Sequence, residues 1–123
     1  MSRPRIWGLT LAWAVLLVAL TVSPAPSSPL APPVPGIDKL VHAVLFGVLT
    51  WLALQARERD RALRMPLWLL VAAIAVFAGV DEGMQQVVPG RAADVLDWTA
   101  DVAGSLLAVW LFRSAPRRRE MIS

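Results

Sequence analysis

Between Gly79 and Gly104 the chain reads GVDEGMQQVVPGRAADVLDWTADVAG, a stretch that holds five carboxylates (Asp81, Glu82, Asp94, Asp97 and Asp101) with Gln85, Gln86 and Arg91. The one histidine, His42, stands upstream, four residues after Asp38 and three after Lys39. These are the side chains able to do chemistry. A histidine within reach of carboxyls can act as a general acid or base, so the catalytic candidates are His42, oriented by Asp38, and the carboxyls of Asp81 and Glu82. An imidazole beside hard oxygen ligands can also hold a divalent metal, and His42 with Asp38, Asp81, Glu82, Asp97 or Asp101 offers such a set. There is no cysteine, which removes thiolate nucleophiles and thiolate metal ligands. Ser105 and Thr99 lie near the acidic positions but read as helix-packing residues.

Helical spacing sorts the polar residues into faces. Asp38 with His42, Asp81 with Gln85, and Glu82 with Gln86 each stand four apart, a separation that brings side chains into contact on a helix. Asp94, Asp97 and Asp101 fall three and four apart, and Gly104 and Ala108 continue the same stripe. One face of that helix is therefore acidic at one end and made of small residues at the other, and small residues let helices approach closely.

The elements that must position these groups are four apolar segments, Ile6–Val22, Leu40–Leu54, Pro66–Val80 and Val95–Phe112. A bilayer core requires about 20 helical residues. The second segment reaches that length only by taking in Asp38, Lys39 and Gln55, and the third only by running through Asp81 and Glu82 towards Val88. The polar groups thus lie inside the spans or at their edges. An isolated carboxylate at the centre of a span costs at least about 2.5–3.5 kcal/mol. Each must face the bundle or a watered cavity and find a partner among Lys39, Arg91, His42 and the glutamines.

Composition agrees. Of 123 residues, 57% are hydrophobic and only 17% charged, more apolar surface than a soluble domain of this size can hide. Lipid is the expected solvent and membrane lipid the expected partner. No basic face interleaved with stacking aromatics lies outside the apolar segments, so nucleic acid is not an expected partner. The expected fold is an all-α integral membrane four-helix bundle. Ser23 to Gly36 reads SPAPSSPLAPPVPG, with six prolines, which excludes helix and marks a semi-rigid linker. The loop QARERDRALRM, Gln55–Met65, joins spans two and three, and Pro89-Gly90-Arg91 signals a turn before span four. The basic start, apolar run and small residues of Met1 to Ser27 also fit a secretory signal. The apolar run is long for one, however, and prolines crowd the cleavage site, which favours a retained transmembrane helix.

Ten of the eleven arginines, all but Arg91, fall on one side of a four-span hairpin, and Lys39 and Arg91 fall on the other. The positive-inside rule makes the arginine-rich side cytoplasmic, with both termini. Asp38, Asp81, Glu82, Asp94, Asp97, Asp101 and His42 then gather at the outer ends of spans two, three and four.

The sequence at this point resembles the VanZ-like family of small bacterial membrane proteins, named for a protein associated with teicoplanin resistance. The resemblance rests on Asp38-Lys39-x-x-His42-x-x-x-Phe46, then Asp81-Glu82-x-x-Gln85, the Pro89-Gly90-Arg91 turn, and Asp97-x-x-x-Asp101-x-x-Gly104. It runs from Asp38 to about Leu111, and Asp101 stands where many members carry asparagine. It implies a multi-pass protein of the bacterial cytoplasmic membrane acting in envelope or glycopeptide response. The chain then divides into a signal-anchor-like first span (1–23), an extracytoplasmic proline-rich linker (24–37), a VanZ-like three-helix core (38–113) and a basic cytoplasmic tail (114–123).

Three functions compete for the polar residues. One is a binding site for a lipid-linked or glycopeptide headgroup, drawing on Asp38, Lys39, His42, Asp81, Glu82, Gln85, Arg91, Asp97 and Asp101. Another is an intramembrane enzyme, acid–base or metal-assisted, acting on an amphiphile. The third is a scaffold whose polar residues only join helices. Four short helices leave little room for a gated transport path unless the protein forms an oligomer.

Overall fold

The computed structural model describes residues 2–22, 37–60, 65–88 and 95–115, with the side chains of Ile37 and Asp38 left aside. Four helices follow in order: α1 Arg3–Val22, α2 Ile37–Arg59, α3 Leu67–Gln85 and α4 Val95–Ser114. The described residues contain no strand. Proline starts two of the helices, where its missing N–H costs nothing. Pro4 sits in the first turn of α1, and Pro66 precedes α3, its carbonyl accepting from Leu69 N at 3.1 Å and Leu70 N at 3.3 Å. At the far end of α3 the amides of Gln86, Val87 and Val88 bond the carbonyls three residues back, a tightened last turn that uses up otherwise orphaned acceptors.

All four helices are long and apolar enough to cross a membrane. Their outward faces are apolar too: Leu11, Val15, Trp68 and Val76 are each about two-thirds exposed or more (65%, 69%, 70% and 67%). Such a surface fits lipid and not water. The core is built by Leu17 of α1, Phe46, Leu49, Ala53 and Leu54 of α2, and Leu70, Ile74 and Ala78 of α3. The rings of Phe46 and Phe77 meet with centroids 5.9 Å apart.

Helix α2 outruns the apolar segment that predicts it, and Gln55–Arg59 is helix and not loop. Hydropathy falls there but helix propensity does not, since Gln, Ala, Arg and Glu are all good helix formers. Arg59 Nη1 bonds Gln55 Oε1 one turn back at 2.7 Å, and Asp60 N continues the ladder to Ala56 O at 2.9 Å. Asp60 also ties this end of α2 to α1, accepting from Trp7 Nε1 at 3.0 Å and pairing with Arg3 at 3.5 Å. The proline-rich linker, the Pro89-Gly90-Arg91 turn and the tail from Pro116 onward lie outside the described residues.

The helices pack most extensively as α2 against α4, and glycine makes this possible. A Cβ on Gly104 would lie 2.8 Å from Ala43 Cα and closer still to the Ala43 carbonyl oxygen; one on Gly47 would lie 3.3 Å from Gly104 O. The two backbones therefore touch at this level, an approach that any side chain at Gly104 would prevent.

Candidate functional site

Just above this contact, at one end of the bundle, the four helices bring their polar side chains together. Helix α2 contributes Lys39 and His42 from its first two turns. The last two turns of α3 contribute Asp81, Glu82 and Gln85, the first two turns of α4 contribute Asp97 and Asp101, and the last turn of α1 contributes Thr21. Each of these except Lys39 is buried, and Asp101 and Asp81 are 0% and 1% exposed.

The close approach of α2 and α4 lets His42 reach across. Its Nδ1 is hydrogen-bonded to Asp101 Oδ1 at 2.8 Å, and the same nitrogen lies 3.8 Å from Glu82 Oε1. On the other edge of the ring, Nε2 lies 4.0 Å from Asp97 Oδ2. Lys39 Nζ donates to Asp97 Oδ1 at 3.1 Å, so the lysine makes a carboxylate contact across helices. Gln85 ties the two acids of α3 together, its amide donating to Glu82 Oε1 at 3.2 Å and to Asp81 Oδ2 at 3.5 Å. Asp81 Oδ1 in turn accepts from Thr21 Oγ1 at 2.7 Å. One web thus runs from α1 through α3 and from α3 to His42, with α4 joined through Asp101 and Asp97.

The sequence-predicted residues divide accordingly. Lys39, His42, Asp81, Glu82, Gln85, Asp97 and Asp101 come together. Arg91, Asp94 and the side chain of Asp38 fall outside the described residues, so the expected Asp38–His42 pair and the placing of Arg91 do too. The described partner of His42 Nδ1, Asp101, stands 59 residues away in the chain, on another helix. Glu82 takes its amide from Gln85, whereas Gln86 is exposed past the end of α3. Thr99 bonds its own helix at Val95 O and is exposed. Ser105 is buried one turn from Asp101, and its Oγ has no hydrogen-bond partner among the described residues; the same is true of Asp101 Oδ2.

Two participants were not legible as such. Thr21 is an unremarkable residue at the end of an apolar run, and the only signal available was its position as a polar side chain in the last turn of a span. Trp98 joins two helices as well: its indole N–H donates to Ala75 O of α3 at 3.0 Å. A Cβ added at Gly79 would lie 3.6 Å from that nitrogen, an ordinary contact, so the ring packs directly against α3 here.

Chemically, the arrangement offers an imidazole flanked by three carboxyls in a place where water is scarce. It can hold a cation, bind a hydrogen-bond donor or move a proton. Among the described residues no hydroxyl hydrogen-bonds to His42: Thr21 is engaged with Asp81, Thr99 bonds Val95 O, and Ser105 Oγ has no hydrogen-bond partner.

A family model described as VanZ/LLP1 matches residues 5–116. The match begins within α1, well before Asp38, which accords with α1 supplying Leu17 to the core and Thr21 to the polar web. No curated protein and no solved structure matches the chain. The arrangement of four candidate spans and the extent of the family match lead to one conclusion: the chain belongs to the VanZ-like family and is a multi-pass membrane protein.

Proposed function

We propose that the polar end of the bundle is a binding site for the headgroup of an envelope lipid or a lipid-linked, glycopeptide-type ligand. It lies at the outer leaflet of a bacterial cytoplasmic membrane and serves envelope or antibiotic response. The observation that carries this reading is the convergence of His42, Glu82, Asp97 and Asp101 from three helices at one end of an otherwise apolar bundle. Intramembrane ionisable groups mark functional sites by default, because burying them for packing alone is costly. Lys39, about one-third exposed at its side chain, stands at the rim beside Asp97, well placed for a phosphate. The arginine count supports the orientation, since it puts this end away from the cytoplasm.

The test is lipid retention. The wild-type protein and the Lys39→Ala and Asp97→Asn variants are purified in detergent, and bound lipids are identified by native mass spectrometry. Thermal unfolding is followed in parallel. A headgroup site predicts a specific co-purifying lipid class that both variants lose while keeping most of their thermal stability. A scaffold predicts no specific lipid and a lower melting temperature in both variants, and that outcome would overturn the reading. Turnover of a retained lipid, lost in His42→Ala, would replace binding with catalysis.

A further inference from the structure

We infer that His42, Glu82 and Asp101 form a divalent-cation site of the zinc or manganese type. This goes beyond headgroup recognition and does not depend on it. Among the described residues these three, all buried, offer ligand atoms that lie within 4.8 Å of one another. They come from α2, α3 and α4, so the site exists only in the folded bundle. His42 Nδ1 is 2.8 Å from Asp101 Oδ1 and 3.8 Å from Glu82 Oε1. A tetrahedral ion with ligands at about 2.1 Å separates its ligand atoms by about 3.4 Å. The two measured separations bracket that value, and the third pair, Glu82 with Asp101, lies within 4.8 Å.

An independent observation points to a ligand. Asp101 is 0% exposed, and its Oδ2 has no hydrogen-bond partner among the described residues. A buried carboxylate oxygen left without a partner is costly and rare in native proteins. A cation bound through both oxygens of Asp101 would satisfy it. The surroundings have the form of a metal site's outer shell. Gln85 Nε2 holds Glu82 Oε1 at 3.2 Å. Asp97 Oδ2 lies 4.0 Å from the far ring nitrogen of His42, beyond hydrogen-bond length but on the side such a partner would take, and Lys39 holds Asp97 in turn. A carboxylate behind a ligating histidine fixes the ring and its tautomer.

The donor set selects the class of ion. One imidazole with carboxylate oxygens suits zinc or manganese, whereas magnesium and calcium favour oxygen alone. With Asp101 bound through both oxygens the three residues supply four donor atoms, so water or an anionic oxygen from a ligand would enter as a fifth.

The experiment titrates the metal alone. Full-length protein in nanodiscs is stripped with a chelator and dialysed to equilibrium against Zn²⁺ or Mn²⁺, and bound metal is measured by mass spectrometry. The expected result is one ion per chain. Asp101→Asn and Glu82→Gln should each weaken binding by about tenfold or more, since loss of even an outer-shell partner costs 10–100-fold. Glu58→Gln, at an exposed position, should bind as the wild type does. Helical circular dichroism and gel filtration show whether each variant is folded, and two ligand variants are used so that either can carry the result. Failure of the wild type to bind a stoichiometric ion would overturn the site, as would unchanged binding by both folded variants. Lipid retention is read separately, so neither result decides the other.

Discussion

Replacing Gly104 with alanine adds one methyl group at the point where α2 and α4 touch. Its Cβ would lie 2.8 Å from Ala43 Cα and closer to the Ala43 carbonyl oxygen. Backbone cannot rotate away as a side chain can. Carbon atoms at ease stand about 3.5–4.0 Å apart, so the helices must part by about 0.7 Å or more. His42 adjoins Ala43 and Asp101 lies one turn before Gly104 on the same two helices, and their 2.8 Å hydrogen bond would stretch to about 3.5 Å, beyond useful length. Overpacking costs about 1–3 kcal/mol, and a buried acceptor left without its donor about 1–3 kcal/mol more. Against this stands the intrinsic preference of a helix for alanine, about 1 kcal/mol. Gly83→Ala isolates that gain, because nothing lies within 4 Å of a Cβ at Gly83. Equilibrium unfolding by SDS in mixed micelles, followed by the fluorescence of the six tryptophans, measures both variants. Gly104→Ala should fall below Gly83→Ala by about 2–6 kcal/mol, and the imidazole nitrogen resonances of His42 should shift in Gly104→Ala alone. If the two variants unfold within about 1 kcal/mol of each other, within the range of helix propensity alone, then the α2–α4 spacing is not set at Gly104 and the account of the His42–Asp101 pair fails.

Thr21→Val keeps the shape of the side chain and removes the hydroxyl that donates to Asp81 at 2.7 Å; it should destabilise the bundle by about 1–3 kcal/mol. Thr10→Val, whose hydroxyl bonds only its own helix at Ile6 O, should be close to neutral, and equal losses in the two would remove α1 from the polar web. For orientation, a cysteine at Ser28 should react with an impermeant maleimide in intact cells and one at Ala62 should not; the reverse pattern would place the polar end at the cytoplasmic face.

Both the spans and the candidate residues could be read from the chain, for different reasons. Apolar runs of near-membrane length leave the backbone no alternative in lipid but helix. The excess of acids at the ends of three runs could be seen because ionisable groups are so expensive there. The reading failed at the edges, where hydropathy and helix propensity part company, as at Gln55–Arg59. It was also silent on pairing across helices: spacing on one helix could suggest Asp38 for His42, but only the described geometry shows Asp101 at its Nδ1.

By itself, then, the sequence determined that this is an all-α membrane protein, where its four helices run, and which ends of them carry the ionisable side chains. Those properties follow from local composition and from the cost of exposing backbone and charge to lipid, and neither depends on which helix lies beside which. Only the tertiary structure decided the partners: Asp101 for His42, Asp97 for Lys39, Thr21 for Asp81, and Ala75 for Trp98. A helix face states which residues look outward, not which neighbour they meet. That choice is made by the fit of backbones, here at Gly104 against Ala43, where the absence of one methyl group lets two helices close far enough for a histidine to reach a carboxylate across the gap.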